Sequence, residues 1–269
     1  MWDDSRNQLC WVDIPHGDVH RLDASGTHSV WRYGDMVSAV ASRAGIGLVL
    51  AIRDGIGLAD ALGQAPRLVP ITMPRGTCMN DAKCDRRGRL WVGSKVSQRG
   101  KRGAVLFRID PSGEARTVSD GLGMANGLGW SPDDRVFYLV DSAIGAIYSY
   151  PFDLERGLLG KRRLFAHVPA GEGIPDGLAV DSSGCVWVAL WGGGKLNRYT
   201  PGGGLDGSVD VPVSQVTSCA FGGADLDRLY VTSARAGLSE RERQQQPLAG
   251  ALFVTDSDVP GTPVGDFGG

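Results

Sequence analysis

One pattern of apolar and polar positions recurs along the whole chain. An apolar residue closes a short run, a polar turn of four to seven residues follows, and an alternating apolar and aromatic run then begins. The second run reads Leu9-Cys10-Trp11-Val12, Leu48-Val49-Leu50, Leu90-Trp91-Val92, Val136-Phe137-Tyr138-Leu139, Val186-Trp187-Val188 and Leu229-Tyr230-Val231. Runs this short, bounded by Gly, Asp and Ser, read as strands. The residue closing the first run falls at Trp2, Val40, Cys84, Trp130, Val180 and Phe221, with successive spacings of 38, 44, 46, 50 and 41 residues.

Six copies of a unit of about 40–50 residues, with four short strands each, predict a β-propeller. A further strand is legible in five units, at 20–23, 104–109, 146–150, 195–199 and 251–254. The expectation is therefore one all-β domain over residues 1–269: a six-bladed propeller of four-stranded blades, the first strand of each blade lining a central channel. Only Leu238-Ser-Glu-Arg-Glu-Arg-Gln-Gln-Gln-Pro247 departs from the pattern. It predicts a solvated loop or one or two helical turns.

Composition agrees with many short elements, since 40 glycines and 14 prolines are scattered rather than clustered. Apolar residues make up 42% and charged residues 22%, enough for a sizeable core. A net charge of −2 gives no field to draw nucleic acid or an anionic membrane. The basic runs Arg99 to Arg102 and Lys161-Arg162-Arg163 read as solvated loops. Five cysteines without a Cys-x-x-Cys pair, and no secretory signal at the N-terminus, point to a reducing cytoplasm. No apolar run reaches the roughly 18 residues a membrane helix needs.

The candidate chemistry lies in three related frames: Met79-Asn80-Asp81-Ala82, Ala125-Asn126-Gly127-Leu128 and Pro175-Asp176-Gly177-Leu178. Each places a short oxygen-bearing side chain near the head of a blade's first strand, so Asn80, Asn126 and Asp176 are expected to converge at one mouth of the channel. Hard oxygen donors without a histidine or cysteine cluster suit calcium, magnesium or manganese, and zinc also accepts them. His16, His20, His28 and His167 show no metal-ligand spacing, and the absence of Gly-x-Ser-x-Gly argues against a serine hydrolase.

At these residues the chain resembles the senescence-marker-protein-30, gluconolactonase and luciferin-regenerating-enzyme family of six-bladed propellers. The similar segments run in the family's order: Trp2 to Asp13, Met79 to Asp85 with Gly88-Arg89-Leu90-Trp91, Asn126 to Ser131 and Ile174 to Asp181. They continue through Thr217 to Gly223, Tyr230 to Arg235 and Gln246 to Gly250. The resemblance implies one divalent ion held by Asn126, Asp176 and a glutamate, with Asn80 beside it contacting water or substrate. It also implies hydrolysis of a sugar-derived lactone. On physical grounds Asp176 is then expected both to ligate the ion and to accept the proton of the attacking water.

Two departures qualify what the resemblance implies. The family's glutamate stands in a Gly-Glu-Gly-Pro segment before the equivalent of Trp2, and the chain begins at Met1, so the first blade reads as truncated and that ligand is missing. Cys78 occupies the substrate-binding position where sugar-lactone members often have arginine, and a thiol cannot make that bidentate contact. The expected site is thus Asp176 as catalytic residue and metal ligand, Asn126 as second ligand, and Asn80 and Cys78 toward a small lactone. Two alternatives stay open: a non-catalytic metal- or ligand-binding propeller, and a scaffold for protein partners. Self-association is not legible.

Overall fold

The computed structural model describes residues 1–45, 47–97 and 102–269. Backbone contacts divide it into two compact units: Met1–Asn126 with Pro151–Gly160 and Pro263–Gly269, and Gly127–Tyr150 with Lys161–Thr262.

The first unit holds three four-stranded antiparallel sheets, each ordered as the chain runs. They are β1 (Trp2–Asp3), β2 (Gln8–Asp13), β3 (Asp18–Leu22) and β4 (His28–Arg32); β5 (Val37–Ser42), β6 (Leu48–Ile52), β7 (Gly55–Ala59) and β8 (Arg67–Pro70); and β9 (Thr77–Cys84), β10 (Leu90–Val96), β11 (Ala104–Ile109) and β12 (Ala115–Leu122). The fourth sheet begins with β13 (Ala125–Trp130), β14 (Val136–Asp141) and β15 (Ala146–Asp153), which pairs with both β16 (Leu158–Leu159) and β17 (Arg163–His167). The fifth comprises β18 (Ile174–Val180), β19 (Val186–Trp191), β20 (Lys195–Tyr199) and β21 (Leu205–Asp210). The sixth has three strands, β22 (Val216–Gly222), β23 (Arg228–Ser233) and β24 (Leu252–Asp256). The fold is the six-bladed β-propeller that the spacing predicts.

Strand β7 was not legible because Gly55-Ile56-Gly57-Leu58-Ala59 alternates glycine with apolar residues and reads as a turn. All five residues are buried. A Cβ at Gly55 would lie 2.4 Å from the Val69 carbonyl oxygen, so glycine is what lets β8 pair there.

The turn after the first strand is built the same way in several sheets. In the third sheet, Asp85 accepts hydrogen bonds from the Arg87 and Arg89 backbone N–H groups at 2.9 and 3.1 Å, Arg89 Nε at 2.7 Å and Trp91 Nε1 at 2.8 Å. In the fifth, Asp181 accepts from the Ser183 and Cys185 N–H groups and Trp187 Nε1, each at 3.0 Å, and from Arg198 Nε and Nη2 at 2.9 and 2.7 Å. Ser131 does part of this work in the fourth sheet, its hydroxyl accepting from the Arg135 and Val136 N–H groups. A short acceptor must start this turn because its backbone donors are turned inward, away from water and from the sheet ladder. The apolar cores pack around these turns: Met79, Cys84, Leu90, Val92 and Phe107 share one cluster, and Trp187, Leu229 and Val231 another.

The segment that broke the strand pattern forms the short helix α1 (Glu240–Gln245), all of it exposed. A capping box between Ser239 and Glu242 starts it. Lys161, Arg162 and Arg163 are exposed as expected, with Arg162 lying over the Tyr148 ring. In the other basic run, Arg99 to Lys101 lie outside the described residues. None of the five cysteines is in a disulfide, and burial pushes the Cys10 thiol up to about 11. No helix among the described residues is long and apolar enough to cross a membrane.

The two carboxylates on Arg198 should differ sharply in what they contribute. Asp181 is fully buried, whereas Asp206, its second partner, is partly exposed. Asp181→Ala strands buried donors and is expected to cost about 3–5 kcal/mol in chemical denaturation, while Asp206→Ala costs less than about 1 kcal/mol. Equal losses would contradict the structural role given to the turn.

Candidate active site

The first strands of the sheets are not regular. In β9 the partners step from Met79↔Ser94 to Ala82↔Val92, so Asn80 and Asp81 together face Gly93. In β18 they step from Pro175↔Leu190 to Leu178↔Val188, so Asp176 and Gly177 together face Ala189. The same one-residue excess occurs in β5 between Val37 and Ala39 and in β22 between Val216 and Ser218. A bulge of this kind bends the strand and turns a side chain away from the regular alternation. Asn80 and Asp176 thus sit within their strands, at bulges.

Asn80 is buried and its Nδ2 donates to the Ala125 carbonyl at 3.0 Å. This ties β9 to the residue preceding Asn126. The approach depends on Gly93, where a Cβ would lie 2.7 Å from both the Cβ and the carbonyl oxygen of Ala125. Asn126 itself is half-buried, the second residue of β13. Cys78, also half-buried, stands two residues before Asn80 and pairs across the ladder with Lys95.

Asp176 is half-buried and the residues around it are held on both sides. The buried Ser142 hydroxyl, in the 3₁₀ turn Ser142–Ile144, donates to the Pro175 carbonyl at 2.6 Å. A Cβ at Gly127 would come within 2.5 Å of the Asp176 carbonyl oxygen, and one at Gly177 within 2.1 Å of Ser218 Oγ. Glycine at Gly127 lets β13 and β18 approach backbone to backbone, and glycine at Gly177 makes room for the Ser218 side chain of β22, which the Asn-Gly and Asp-Gly dipeptides encode.

Asp81 was missed by the sequence reading. It occupies the bulge beside Asn80, and burial pushes its carboxyl above the ordinary range while Lys83 partly opposes this. Its position directly after Asn80 was the available signal. A cavity of about 400 Å³ lies elsewhere in the first unit, lined by Trp2, Asp4, Ser42, Lys83 and Asp266 among others, and includes none of the predicted site residues. Burial pushes Asp4 and Asp266 upward there as well.

As donors, Asp176 offers a carboxylate and Asn126 and Asn80 offer amide oxygens, a hard set that fits calcium, magnesium, manganese or zinc in kind. Among the described residues no group of three or more His, Cys, Asp or Glu is placed to hold a metal ion. An ion at Asp176 would rely on amide, backbone and water oxygens to complete its shell.

A family model described as the SMP-30/Gluconolactonase/LRE-like region matches residues 1–235. The chain belongs to this family. It is 36% identical over 265 residues to the 6-deoxy-6-sulfogluconolactonase of Pseudomonas putida, covering 97% of this chain and 91% of that protein. It is 35% identical over 268 residues to a pentonolactonase of Haloferax volcanii, covering 98% and 91%. Among solved structures, the calcium-binding protein regucalcin from Agrobacterium tumefaciens superposes with a TM-score of 0.93 at 28% identity, covering 99% of this chain and 92% of that one. The SMP-30/gluconolactonase resemblance read from the motifs is thereby established.

The raised carboxyl of Asp81 has a pH signature. An aspartate whose folded pKa exceeds its unfolded value of about 3.9 contributes stability below that value, and the contribution is lost as pH rises through the folded pKa. Asp81→Asn removes this dependence. The variant's melting temperature minus that of the native protein is therefore expected to grow as pH rises from 3 to 8; a constant difference would contradict the burial assigned to Asp81.

Proposed function

We propose that this protein hydrolyses a sugar-derived lactone with the help of one divalent metal ion. Lactonases among its relatives support the reaction class, and the calcium-binding structural neighbour supports an ion. The observation that carries the reading is Asp176: a partly exposed carboxylate in a strand bulge, its backbone fixed by Ser142 and by the glycine contacts. A carboxylate held this way needs little rearrangement before it acts, which is where rigid elements help catalysis.

Asp176 and Asn126 are the proposed ligands, following the family resemblance. The ion, when bound, supplies polarisation of the lactone carbonyl and acidification of a water. Asp176 takes the proton from the attacking water and returns it to the leaving alkoxide. Asn80 spends its amide N–H on Ala125, which leaves Oδ1 to accept from a water or a substrate hydroxyl. Cys78 lies toward the substrate in place of arginine, so hydroxyl groups rather than a gripped carboxylate set the specificity. A cytoplasmic location belongs to the same proposal.

Initial rates of acid release from gluconolactone and pentonolactones, followed in a pH-stat, test this. Asp176→Asn is expected to lose about 10²–10⁴ in rate with the circular dichroism spectrum retained. Chelation by EDTA is expected to abolish turnover, and re-addition of a divalent salt to restore it. Equal rates with and without chelator would overturn the role of the ion, and full activity in the variant would overturn that of Asp176.

Cys78 favours a second reading, a propeller that binds an ion or small ligand without turnover. It expects the divalent ion to raise the melting temperature by mass action while every lactone tested stays intact.

A further inference from the structure

Two histidines of the first sheet, eight residues apart in sequence, meet in space. His20 on β3 and His28 on β4 place Nδ1 and Nε2 3.0 Å apart. The ladder brings this about: His20 pairs with Trp11 on one side and Val30 on the other, while His28 pairs with Leu22, so the two imidazoles are diagonal neighbours on one face. Their rings are within 4° of parallel, and Trp11 lies nearly parallel to both, with centroids 5.1 and 5.4 Å away. The Trp11 ring restricts the rotamers of both and holds them in register.

The charged groups around the pair are already engaged. Arg32 donates through Nε and Nη2 to the Asp18 carboxylate at 2.8 and 2.9 Å, and the Asp13 carboxylate lies 3.0 Å from His16 Nδ1. That leaves two imidazoles, one half-buried and one exposed. A hydrogen bond between ring nitrogens requires one N–H and one lone pair, so at least one ring is neutral.

We propose that His20 and His28 form a two-histidine site for a borderline transition-metal ion, copper(II) above all, with water filling the remaining positions. Centroids 5.2 Å apart with nitrogens 3.0 Å apart mean that the two nitrogens point almost straight at each other. Turning both rings so that their lone pairs converge on one side seats a metal with imidazole bonds of about 2.0–2.1 Å, which subtend about 95° across nitrogens at this separation. That is the cis angle of square-planar or octahedral coordination, and it is narrower than a tetrahedral site uses. Two imidazole nitrogens in a tetragonal arrangement select copper(II) or nickel(II), and copper(II) heads the affinity order. On binding, the proton shared between the rings moves to an outward ring nitrogen, so both inner nitrogens offer a lone pair to a metal seated beside the line that joins them, with no net change in the charge of a neutral pair. The site uses softer donors than the oxygen ligands proposed at Asn126 and Asp176, so the two select different ions.

Copper(II) titration of the metal-free protein, followed by electron paramagnetic resonance and tryptophan fluorescence, tests the proposal. One saturable copper is expected, with superhyperfine splitting from two nitrogens and quenching of Trp11. His20→Ala and His28→Ala should each weaken binding at least about tenfold, consistent with the loss of one of two chelating ligands, and leave one nitrogen in the spectrum. His16→Ala should change neither, and Trp11→Phe should remove most of the quenching while the two-nitrogen signal persists. A spectrum without nitrogen splitting, binding unaltered in both alanine variants, or no saturation below millimolar copper would overturn the proposal.

Discussion

The site rests on one constraint: a first strand that carries one residue more than its partner can pair. A sheet tolerates the excess only by letting two neighbouring residues share one opposite position, and the strand bends there. In β9 the pair is Asn80 and Asp81, in β18 Asp176 and Gly177. A regular alternation would commit every second residue of these strands to the packing that holds Met79, Ala82 and Leu178. The bulge frees a polar residue from that rule without interrupting the apolar cluster on either side of it.

The stabilising turns and the residues proposed for chemistry stand at different places along the same strands. Where β9 and β18 finish, Asp85 and Asp181 gather backbone, indole and guanidinium donors into buried turns. Beside the bulges, glycines leave room for close approach: Gly93 of β10 against Ala125, Gly127 of β13 against the Asp176 backbone, and Gly177 of β18 against Ser218. Backbone contact of this kind is stiff, and Ser142 adds a hydrogen bond to the residue just before Asp176. Asn80, Asn126 and Asp176, the proposed site residues, therefore stand in strands, an arrangement that favours precise placement of a reacting group.

The apolar rhythm made much of this legible. Six units, their turns and the strands after them all fall where the spacing places them, because many of these strands are buried almost throughout and so must be short apolar runs cut off by polar turns. The polar frames at Asn80, Asn126 and Asp176 stood out for the same reason, as interruptions of that rhythm. Other features left no such trace. A bulge is a relation between two strands, so Met79-Asn80-Asp81-Ala82 read alone shows a polar pair but not the unpaired position that Asp81 shares with Asn80. Strand β7 was hidden by Gly55 and Gly57, and the His20–His28 contact by a diagonal register that sequence spacing does not reveal.

Family membership, the lactonase relatives and the bulge at Asp176 support the role proposed for that carboxylate. Anomalous diffraction from crystals soaked in manganese(II) addresses it most directly. The account predicts an anomalous peak about 2.0–2.6 Å from a carboxylate oxygen of Asp176, the bonding range of hard divalent ions. Manganese bound elsewhere in the crystal with no density at Asp176, or an Asp176 carboxylate folded back against its own strand, would contradict it.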